Sequence, residues 1–249
     1  MVTLKSNDEI EKMTRASKVV AETLLRVGEL VQAGISTLDL DRQAEEFIRS
    51  QGMIPSFKGY LGYQHTLCTS VNEEVVHGIP AKKRVLQAGD IVGVDCGAIF
   101  EGYHGDSART FAVGAVPEEV TLLMDVTRES LDKGIEQMVP NKRLYDIGAA
   151  IQKRIESDNL AVVKEYVGHG IGTSLHEDPQ VPNYGVAGTG MRLKTGMVFA
   201  IEPMVNLGTA ETYLLEDGWT VVTKDGQYSA HFEDTIAITE KGPLILTRL

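Results

Sequence analysis

The sequence predicts one α+β domain made of two related halves, and three observations support this prediction. The 249 residues are 43% hydrophobic and 24% charged, which is typical of a globular chain that buries a large core. Helical and strand-like patterns occur twice in the same order. Short segments of the two halves also match at a constant offset. We place the halves at approximately residues 1–115 and 116–249 and, because no linker separates them, assign residues 1–249 to one domain.

Each half starts with two amphipathic helices. In the first half, SNDE (Ser6–Glu9) is a capping box that begins one helix, and Ser36 or Thr37 can cap the next. In the second half, VPNKR separates the corresponding pair of helices. The faces predicted to be buried carry apolar residues at helical spacing: Ile10, Met13, Val20, Leu24, Val27, Val31, Leu40, Ala44, Phe47 and Ile48 in the first half, and Leu123, Leu131, Ile135, Met138, Ile147, Ile151 and Ile155 in the second.

Strand-like segments follow the helices in each half and reveal the duplication. GDIVGVD (Gly89–Asp95) matches GMVFAIE (Gly196–Glu202) at an offset of 196 − 89 = 107, and Asp39 matches Asp146 at 146 − 39 = 107. HGDS and HFED match at a larger offset, 231 − 104 = 127, because TYLLEDGWTVVTKDG adds a hairpin. Related halves usually pack about a pseudo-twofold axis. We therefore expect a central antiparallel β-sheet covered by helices.

The charge and the apolar patterns exclude several classes of function. The formal net charge of −11 repels nucleic acid and anionic membranes, so we expect no nucleic-acid recognition and no membrane contact. No apolar segment reaches the length of a membrane span, and the charged N-terminus does not resemble a signal peptide. The two cysteines, Cys68 and Cys96, fit neither a disulfide framework nor a zinc knuckle. These features predict a reduced, cytoplasmic protein.

Four carboxylates occur in strand-like segments that are otherwise apolar: Asp95, Asp106, Glu202 and Glu233. Asp95 and Asp106 lie on the two strands of VGVDCGAIFEGYHGDSART, so a hairpin places them opposite or diagonal to each other, where like charges repel. The duplication brings the two glutamates to the same place. Two divalent cations would balance the four negative charges, and we therefore predict a dinuclear metal site.

A fifth candidate ligand is His169, in the glycine-rich segment VGHGIGTSLHEDP. One imidazole with four carboxylates forms an oxygen-rich set that suits Mn, Fe(II), Co or Zn. Paired metals of this kind polarise a carbonyl and activate water, which indicates metal-assisted hydrolysis. His77 in VVHGIP and His176 in SLHEDP lie in loops bounded by Gly and Pro, where they could bond the scissile amide or a tetrahedral intermediate.

The other histidines carry weaker signals. We interpret His65 as a surface residue or a satisfied core residue. His104 and His231 each precede a candidate ligand by two residues and share its strand face, so they could contact the ligand carboxylates.

Together these motifs resemble the pita-bread metallopeptidases. VDCG, GYHGDSARTF, GHGIGTSLHEDP, FAIEPM and HFEDTIAIT carry the five candidate ligands in the order and spacing of that family, and VNEEVVHGIP narrows the resemblance to the type I methionine aminopeptidases of bacteria and organelles. The resemblance covers essentially the whole chain. It implies the pita-bread fold and the removal of N-terminal methionine from nascent proteins and peptides with a small second residue.

The resemblance also implies a role for each candidate ligand. Asp106 and Glu233 would bridge two divalent metal ions, Asp95 would complete one metal site, and His169 with Glu202 would complete the other. Glu202 would also exchange protons with the bridging water. The partners implied are the N-termini of nascent polypeptides, including those at the ribosome, and the family suggests a monomer.

Further residues are assigned to the substrate by the same resemblance. His77 would contact the scissile amide nitrogen, and His176 the carbonyl or gem-diolate oxygen. The methionine side chain would enter a pocket that suits an unbranched, polarisable group, lined by Tyr60, Tyr63, Cys68 and Trp219. Core packing is the alternative interpretation for Tyr63.

Two positions depart from the family pattern and leave the shape of the pocket open. Phe57 and Leu175 lie where better-known bacterial members have Cys and Phe, respectively.

Two other functions are compatible with parts of the sequence. An Xaa-Pro peptidase shares the ligand set but carries an extra N-terminal domain, whereas the first helix here begins near Ser6. A binding module without catalysis would be expected to lose ligands, and all five are present. The spacing 233 − 202 = 31 leaves no room for the helical insertion of type II methionine aminopeptidases.

Overall fold

The computed structural model describes residues 2–249, which fold into helices packed on antiparallel sheets. No helix in this range combines the length and apolarity needed to cross a membrane. The α-helices of residues 2–249 are α1 (Asn7–Leu30), α2 (Thr37–Ser50), α3 (Glu118–Ile135) and α4 (Leu144–Glu156).

The strands of the same range form four sheets. In chain order the strands are β1 (Ile54–Pro55), β2 (Leu67–Val71), β3 (Glu74–Val76), β4 (Ile91–Phe100), β5 (Tyr103–Ala112), β6 (Ala161–Val162), β7 (Gly168–Gly170), β8 (Glu177–Val181), β9 (Val198–Ile201), β10 (Met204–Asn206), β11 (Thr212–Leu214), β12 (Val221–Thr223), β13 (Ser229–His231), β14 (Asp234–Thr239) and β15 (Gly242–Ile245). One sheet contains β1, β2, β4 and β5, and a second has the order β15-β14-β9-β7-β8. Two smaller sheets have the orders β13-β10-β6 and β11-β12-β3.

Each pair of helices covers the sheet of its own half, as the apolar patterns predict. The capping box begins α1: the Ser6 N–H donates to Glu9 Oε2 at 2.8 Å, and the Glu9 N–H donates to Ser6 Oγ at 3.4 Å. Ser36 rather than Thr37 caps α2. The residues predicted on the buried faces of the four helices are buried except Ile10, Val31 and Phe47, which are half-buried and pack against the edge of a core. The first-half core packs α1 and α2 on β4, and the second-half core packs α3 and α4 on β9 and β14.

The hairpin of β4 and β5 places its aspartates diagonally. Asp95 is paired with Ala108, and Asp106 with Gly97, so each carboxylate lies two residues from the position opposite the other. The added hairpin predicted in the second half is also present, because β11 pairs with β12. β12 in turn pairs with β3 and brings this insertion beside the first half.

The two halves meet where β5 runs antiparallel to residues 231–235, and this seam differs from a regular ladder. Only Ala108 and Glu233 exchange backbone hydrogen bonds, at 2.9 and 3.3 Å. On one side Thr235 Oγ1 accepts from Asp106 N at 3.1 Å and donates to Asp106 O at 2.8 Å. On the other side Thr110 Oγ1 bonds both backbone groups of His231. The sequence predicts a continuous sheet here, but at two positions a side-chain hydroxyl bonds the backbone groups that the neighbouring strand would otherwise pair with.

The register of the seam agrees with a pseudo-twofold axis. The three contacts have the same residue sum, because 106 + 235, 108 + 233 and 110 + 231 all equal 341. At the repeat offset of 127, Asp106 corresponds to Glu233 and Ala108 corresponds to Thr235. A twofold rotation that superposes the two halves would therefore place the Asp106–Thr235 contact on the Ala108–Glu233 contact. The predicted α+β fold with duplicated halves is confirmed. The boundary between residues 115 and 116 stays a prediction.

We expect Thr235→Val to lower the free energy of unfolding by about 1–3 kcal/mol, because the isosteric side chain leaves the two Asp106 backbone groups without this partner. Urea unfolding of chelator-treated protein measures the change. The matched control is Thr121→Val, whose exposed hydroxyl donates to Pro117 O at 3.3 Å and whose loss should cost little. Equal stability of the two variants would contradict the role given to the seam.

Candidate metal centre

The five predicted metal ligands come from both halves and meet at the seam. Two are on the first-half hairpin, one is on a central strand of the second-half sheet, and two lie at strand ends in the second half. They are Asp95 on β4, Asp106 on β5, His169 on β7, Glu202 directly after β9, and Glu233 between β13 and β14.

Ligand atoms of Asp106, His169 and Glu233 all lie within 4.8 Å of one another, and all three residues are buried. His169 Nε2 is 3.5 Å from Glu202 Oε1 and 4.0 Å from Asp106 Oδ2. Asp95 lines the same cavity. The structure therefore brings together all the carboxylates and the imidazole that the sequence pattern selects.

Local backbone geometry aims His169 at the carboxylates. Its Nδ1 lies 2.9 Å from Gly170 O, so Nδ1 donates there and Nε2 is left with a lone pair toward the cluster. The glycines on both sides allow β7 to pack tightly between its neighbours. A Cβ on Gly168 would lie 2.4 Å from Ala200 O, and one on Gly170 would lie 2.2 Å from Asp178 O.

The carboxylates crowd one another in a site that lacks a cationic side chain. Among residues 2–249, no lysine or arginine forms an ion pair with any of the four. Burial raises the pKa of Asp95 to about 7. Burial, followed by neighbouring carboxylates, raises the pKa of Asp106, Glu202 and Glu233 well above its ordinary value.

Arg109 is the nearest basic residue in sequence, but it neutralises a different acid. Its guanidinium pairs with the fully buried Asp234 at 2.5 Å and also donates to the Glu233 carbonyl. Arg248 is a second partner of Asp234, at 2.8 Å. Both arginines therefore pair with Asp234 beside the site, and the charge of the four carboxylates is not compensated by either of them.

Unsatisfied buried atoms show that the site fits divalent metal. Oδ1 of Asp95, Oδ1 of Asp106 and Oε1 of Glu233 are buried without a hydrogen-bond partner. Buried polar atoms without partners are rare in folded proteins and call for an ion or water. Hard oxygen donors with one imidazole suit a divalent cation of the first transition row, which removes both the orphaned acceptors and the repulsion.

The imidazoles in and around the cluster are neutral near pH 7. Burial, and to a smaller extent neighbouring histidines, lowers the pKa of His169 and of His231 to about 3. His231 Nε2 is 3.8 Å from Glu202 Oε2, so this histidine does face a predicted ligand. Its repeat counterpart His104 instead lies 3.0 Å from Ser56 Oγ, and the two positions are not equivalent.

The two loop histidines flank the carboxylates. His77 has a left-handed backbone (φ 59°) and stands edge-on to Tyr166, with ring centres 5.9 Å apart. Burial, then the neighbouring His176, lowers the His77 pKa to about 4. The His176 ring lies 4.3 Å from the His169 ring, and its Nδ1 is 2.8 Å from Tyr60 Oη. Both imidazoles can therefore reach a group bound over the cluster.

A cavity of about 360 Å³ joins the cluster to the predicted methionine pocket. Tyr63 is buried and fixed, because its hydroxyl donates to Leu67 O at 2.8 Å and its ring packs against Trp219 at 4.9 Å. All eleven predicted site residues line this cavity: Tyr60, Tyr63, Cys68, His77, Asp95, Asp106, His169, His176, Glu202, Trp219 and Glu233.

Three further residues line the cavity. Phe57 and Leu175, the two departures from the family pattern, are buried in its wall. Leu61 stands at the mouth with 79% of its surface exposed and was not predicted. The only sequence signal for Leu61 is its place between predicted residues in GYLGY, since an exposed apolar residue carries no chemistry of its own. His65 lies outside the lining and faces Asp41.

We expect the chelated protein to lose stability as the pH rises from about 6.5 to about 8. Carboxyls with raised pKa keep protons that the unfolded chain has released, so the fold loses stability as the pH rises through their folded-state pKa, which is about 7 for Asp95. The buried imidazoles act in the opposite direction, but only below the unfolded histidine pKa of about 6.5. Added Mn(II) or Co(II) should restore stability, most strongly at the higher pH, because metal binds the ionised carboxylates.

Thermal unfolding with chelator and with metal, at both ends of this pH range, measures the effect. Asp95→Asn is the control, because removing one titrating carboxyl should flatten the slope in chelator. Stability that stays constant or rises with pH in chelator would contradict the assignment of charge to this site.

Comparison with known proteins agrees with this geometry. The sequence pattern described as metallopeptidase family M24 matches residues 11–240. The chain is 54% identical to a methionine aminopeptidase of Clostridium acetobutylicum, with 99% of each chain covered, and 53% identical to methionine aminopeptidase 1 of Bacillus subtilis, with 100% of each covered. The crystal structure of a methionine aminopeptidase from Thermotoga maritima, 48% identical, superposes over the whole of both chains with a TM-score of 0.99. The chain belongs to metallopeptidase family M24.

Proposed function

We propose that the chain is a methionine aminopeptidase that removes N-terminal methionine when the second residue is small. One observation carries the proposal: a cluster of four carboxylates and one imidazole forms one end of a cavity whose other wall is aromatic and sulfur-containing. The relatives that are about half identical over their whole length bear the same name.

Two divalent cations, drawn from Co, Mn, Fe(II) or Zn, are proposed for the cluster. Asp106 and Glu233 would be shared by both ions, Asp95 would complete one site, and His169 with Glu202 the other. The mutual approach of Asp106, His169 and Glu233 supports this arrangement. When bound, such a pair polarises the substrate carbonyl and lowers the pKa of water.

The protein's own groups supply proton transfer and orientation. Glu202 is partly exposed to the cavity, and burial raises its pKa, so its carboxylate is suited to take up and return the proton of the attacking water. Neutral His77 can donate to or accept from the scissile amide nitrogen. His176, oriented by Tyr60, can donate to the carbonyl oxygen as negative charge develops there.

The shape of the cavity selects the side chain that is removed. Buried Tyr63, Phe57 and Leu175 with Cys68 form an apolar wall, and Trp219 packs on Tyr63. A flexible thioether fills an irregular apolar pocket of this kind and gains contacts between sulfur and aromatic rings. Because the substrate's free amine would lie at the acidic cluster, only the first residue can be placed for cleavage.

The setting of the reaction follows from the substrate. Nascent polypeptides are the proposed partners, met in the cytoplasm and at the ribosome, and the chain is proposed to act as a monomer. The net charge of −11 opposes general attraction to ribosomal RNA, so substrate recognition is assigned to the cavity.

Cleavage of Xaa-Pro bonds is less well supported. A prolidase from Pyrococcus furiosus superposes with a TM-score of 0.77 but is 23% identical, and the match covers 65% of that chain, so the likeness is one of fold. A binding module without catalysis is disfavoured by the five intact candidate ligands and the unsatisfied oxygens among them.

We expect Met-Ala-Ser to be hydrolysed in the presence of Mn(II), Co(II) or Fe(II), and Xaa-Pro peptides to remain largely intact. Glu233→Ala should lower kcat by roughly 10² or more and should bind less metal per chain, because one shared ligand is lost. Peptide hydrolysis and metal analysis of anaerobically purified protein measure both effects. A Glu233→Ala variant with full activity, or preferential cleavage before proline, would refute the proposal.

We expect Phe57→Ala to raise KM for Met-Ala-Ser roughly tenfold with a smaller change in kcat, because the methionine side chain loses apolar contact worth about 1–3 kcal/mol. Phe47→Ala is the control: this ring packs against Arg26 at 4.1 Å, away from the cavity. An unchanged KM with a reduced kcat would show that Phe57 does not bind the methionine side chain.

A further inference from the structure

Lys5 is buried, which is unusual for a lysine and indicates a specific partner. Its ammonium group lies 2.5 Å from Glu177 Oε2, and the two side chains are 4% and 16% exposed. The backbone is also fixed, because the Lys5 N–H donates to Gly196 O at 2.7 Å. The segment before α1 is therefore tied to a residue 172 positions away in sequence.

Glu177 directly follows His176 and organises the turn that carries it. It begins β8, where it pairs with Gly170 next to His169. Its second oxygen accepts from Ser174 N at 3.2 Å. Burial raises the pKa of Glu177, but the hydrogen bonds from Lys5 and from the turn outweigh burial and lower the pKa overall. The charged carboxylate thus ties the turn that contains His176 to Lys5, while the Glu177 backbone joins the turn to β7.

The turn is shaped around the ion pair. Gly172 has no side chain, and a Cβ there would lie 2.5 Å from Lys5 Cε and 2.6 Å from Glu177 Oε1. Gly172 O also accepts from His104 N at 2.9 Å, which fixes the turn against β5. The ammonium group therefore occupies space that the sequence leaves open by placing glycine at this position.

We propose that Lys5 is a positioning residue for the reaction: through its ion pair with Glu177 it holds His176 against His169 and over the metal cluster. This inference rests on the proposed function, because it matters only if His176 contacts the reacting carbonyl. The ring-to-ring separation of 4.3 Å from His169 is the geometry that the pair maintains. Without Lys5, a largely buried carboxylate loses its cation and the turn relaxes to rehydrate it.

The test is a double-mutant cycle on Met-Ala-Ser hydrolysis with Lys5→Met, His176→Asn and the double variant. His176→Asn should lower kcat by roughly 10² or more, as loss of a transition-state donor does. Lys5→Met should lower kcat roughly tenfold or more with KM changed less than about twofold, because misplacement affects the transition state. In the His176→Asn background, Lys5→Met should cost less than about twofold further.

The matched control is Lys12→Met, which removes an exposed ion pair of 3.1 Å between Lys12, on the helix that follows Lys5, and Glu101. It should leave kcat and the His176 ring resonance in proton NMR spectra unchanged, whereas Lys5→Met should shift that resonance in the metal-free protein. If Lys5→Met unfolds below the assay temperature, Glu177→Gln keeps the shape of the pair without its charge. It should show a smaller loss of kcat that is likewise absent in the His176→Asn background.

Each outcome separates this inference from the function it rests on. If His176→Asn retains full kcat, the role of His176 in the proposed function fails, and the inference with it. If His176→Asn is impaired while Lys5→Met and Glu177→Gln are not, the inference alone is wrong. Equal losses from Lys5→Met in the two backgrounds would also overturn it, because Lys5 would then act independently of His176.

Discussion

Four carboxylates confined to one buried cleft are the constraint on which the rest of this structure depends. Oxygens of Asp95, Asp106 and Glu233 are buried without a hydrogen-bond partner, and the neighbouring Arg109 is committed to Asp234. A cluster of this kind is unfavourable in an apoprotein, because burial and mutual repulsion both oppose ionisation. A bound divalent metal compensates the buried negative charge and removes the repulsion between the carboxylates. The fold must therefore hold the four acids close together before metal binds, so that metal binding does not have to bring them together.

The duplicated architecture provides that rigidity. Each half has its own helix-covered core, and the acids lie where the two sheets meet rather than within either core. At the meeting point, hydroxyls of Thr110 and Thr235 satisfy backbone groups that a regular ladder would pair directly. The seam thereby supports carboxylates from both halves without requiring one unbroken sheet, and its near-twofold register explains why the site contains two acids from each half.

The groups proposed to contact substrate are held less symmetrically. His77 and His176 lie in loops outside the segments that match between the halves, and the inserted β11–β12 hairpin brings in Trp219. Each needs its own support: His176 bonds Tyr60 and follows the buried Glu177, and Trp219 packs on Tyr63. The candidate metal centre therefore follows the symmetry of the fold, whereas the proposed substrate cavity is built from departures from that symmetry.

The sequence by itself determined the helices, the duplication and the identity of the clustered acids. Periodicity reports burial within one element, and a carboxylate such as Asp106 or Glu233 within an apolar strand is visible without knowledge of its neighbours. Resemblance to a known family added the histidine roles, which spacing left open. Tertiary structure alone decided the Thr235 bonds at the seam, the commitment of Arg109 to Asp234, and the burial of Lys5 against Glu177. These contacts join residues up to 172 positions apart whose side chains look ordinary in sequence, and their strength depends on distance and desolvation that only the folded chain defines.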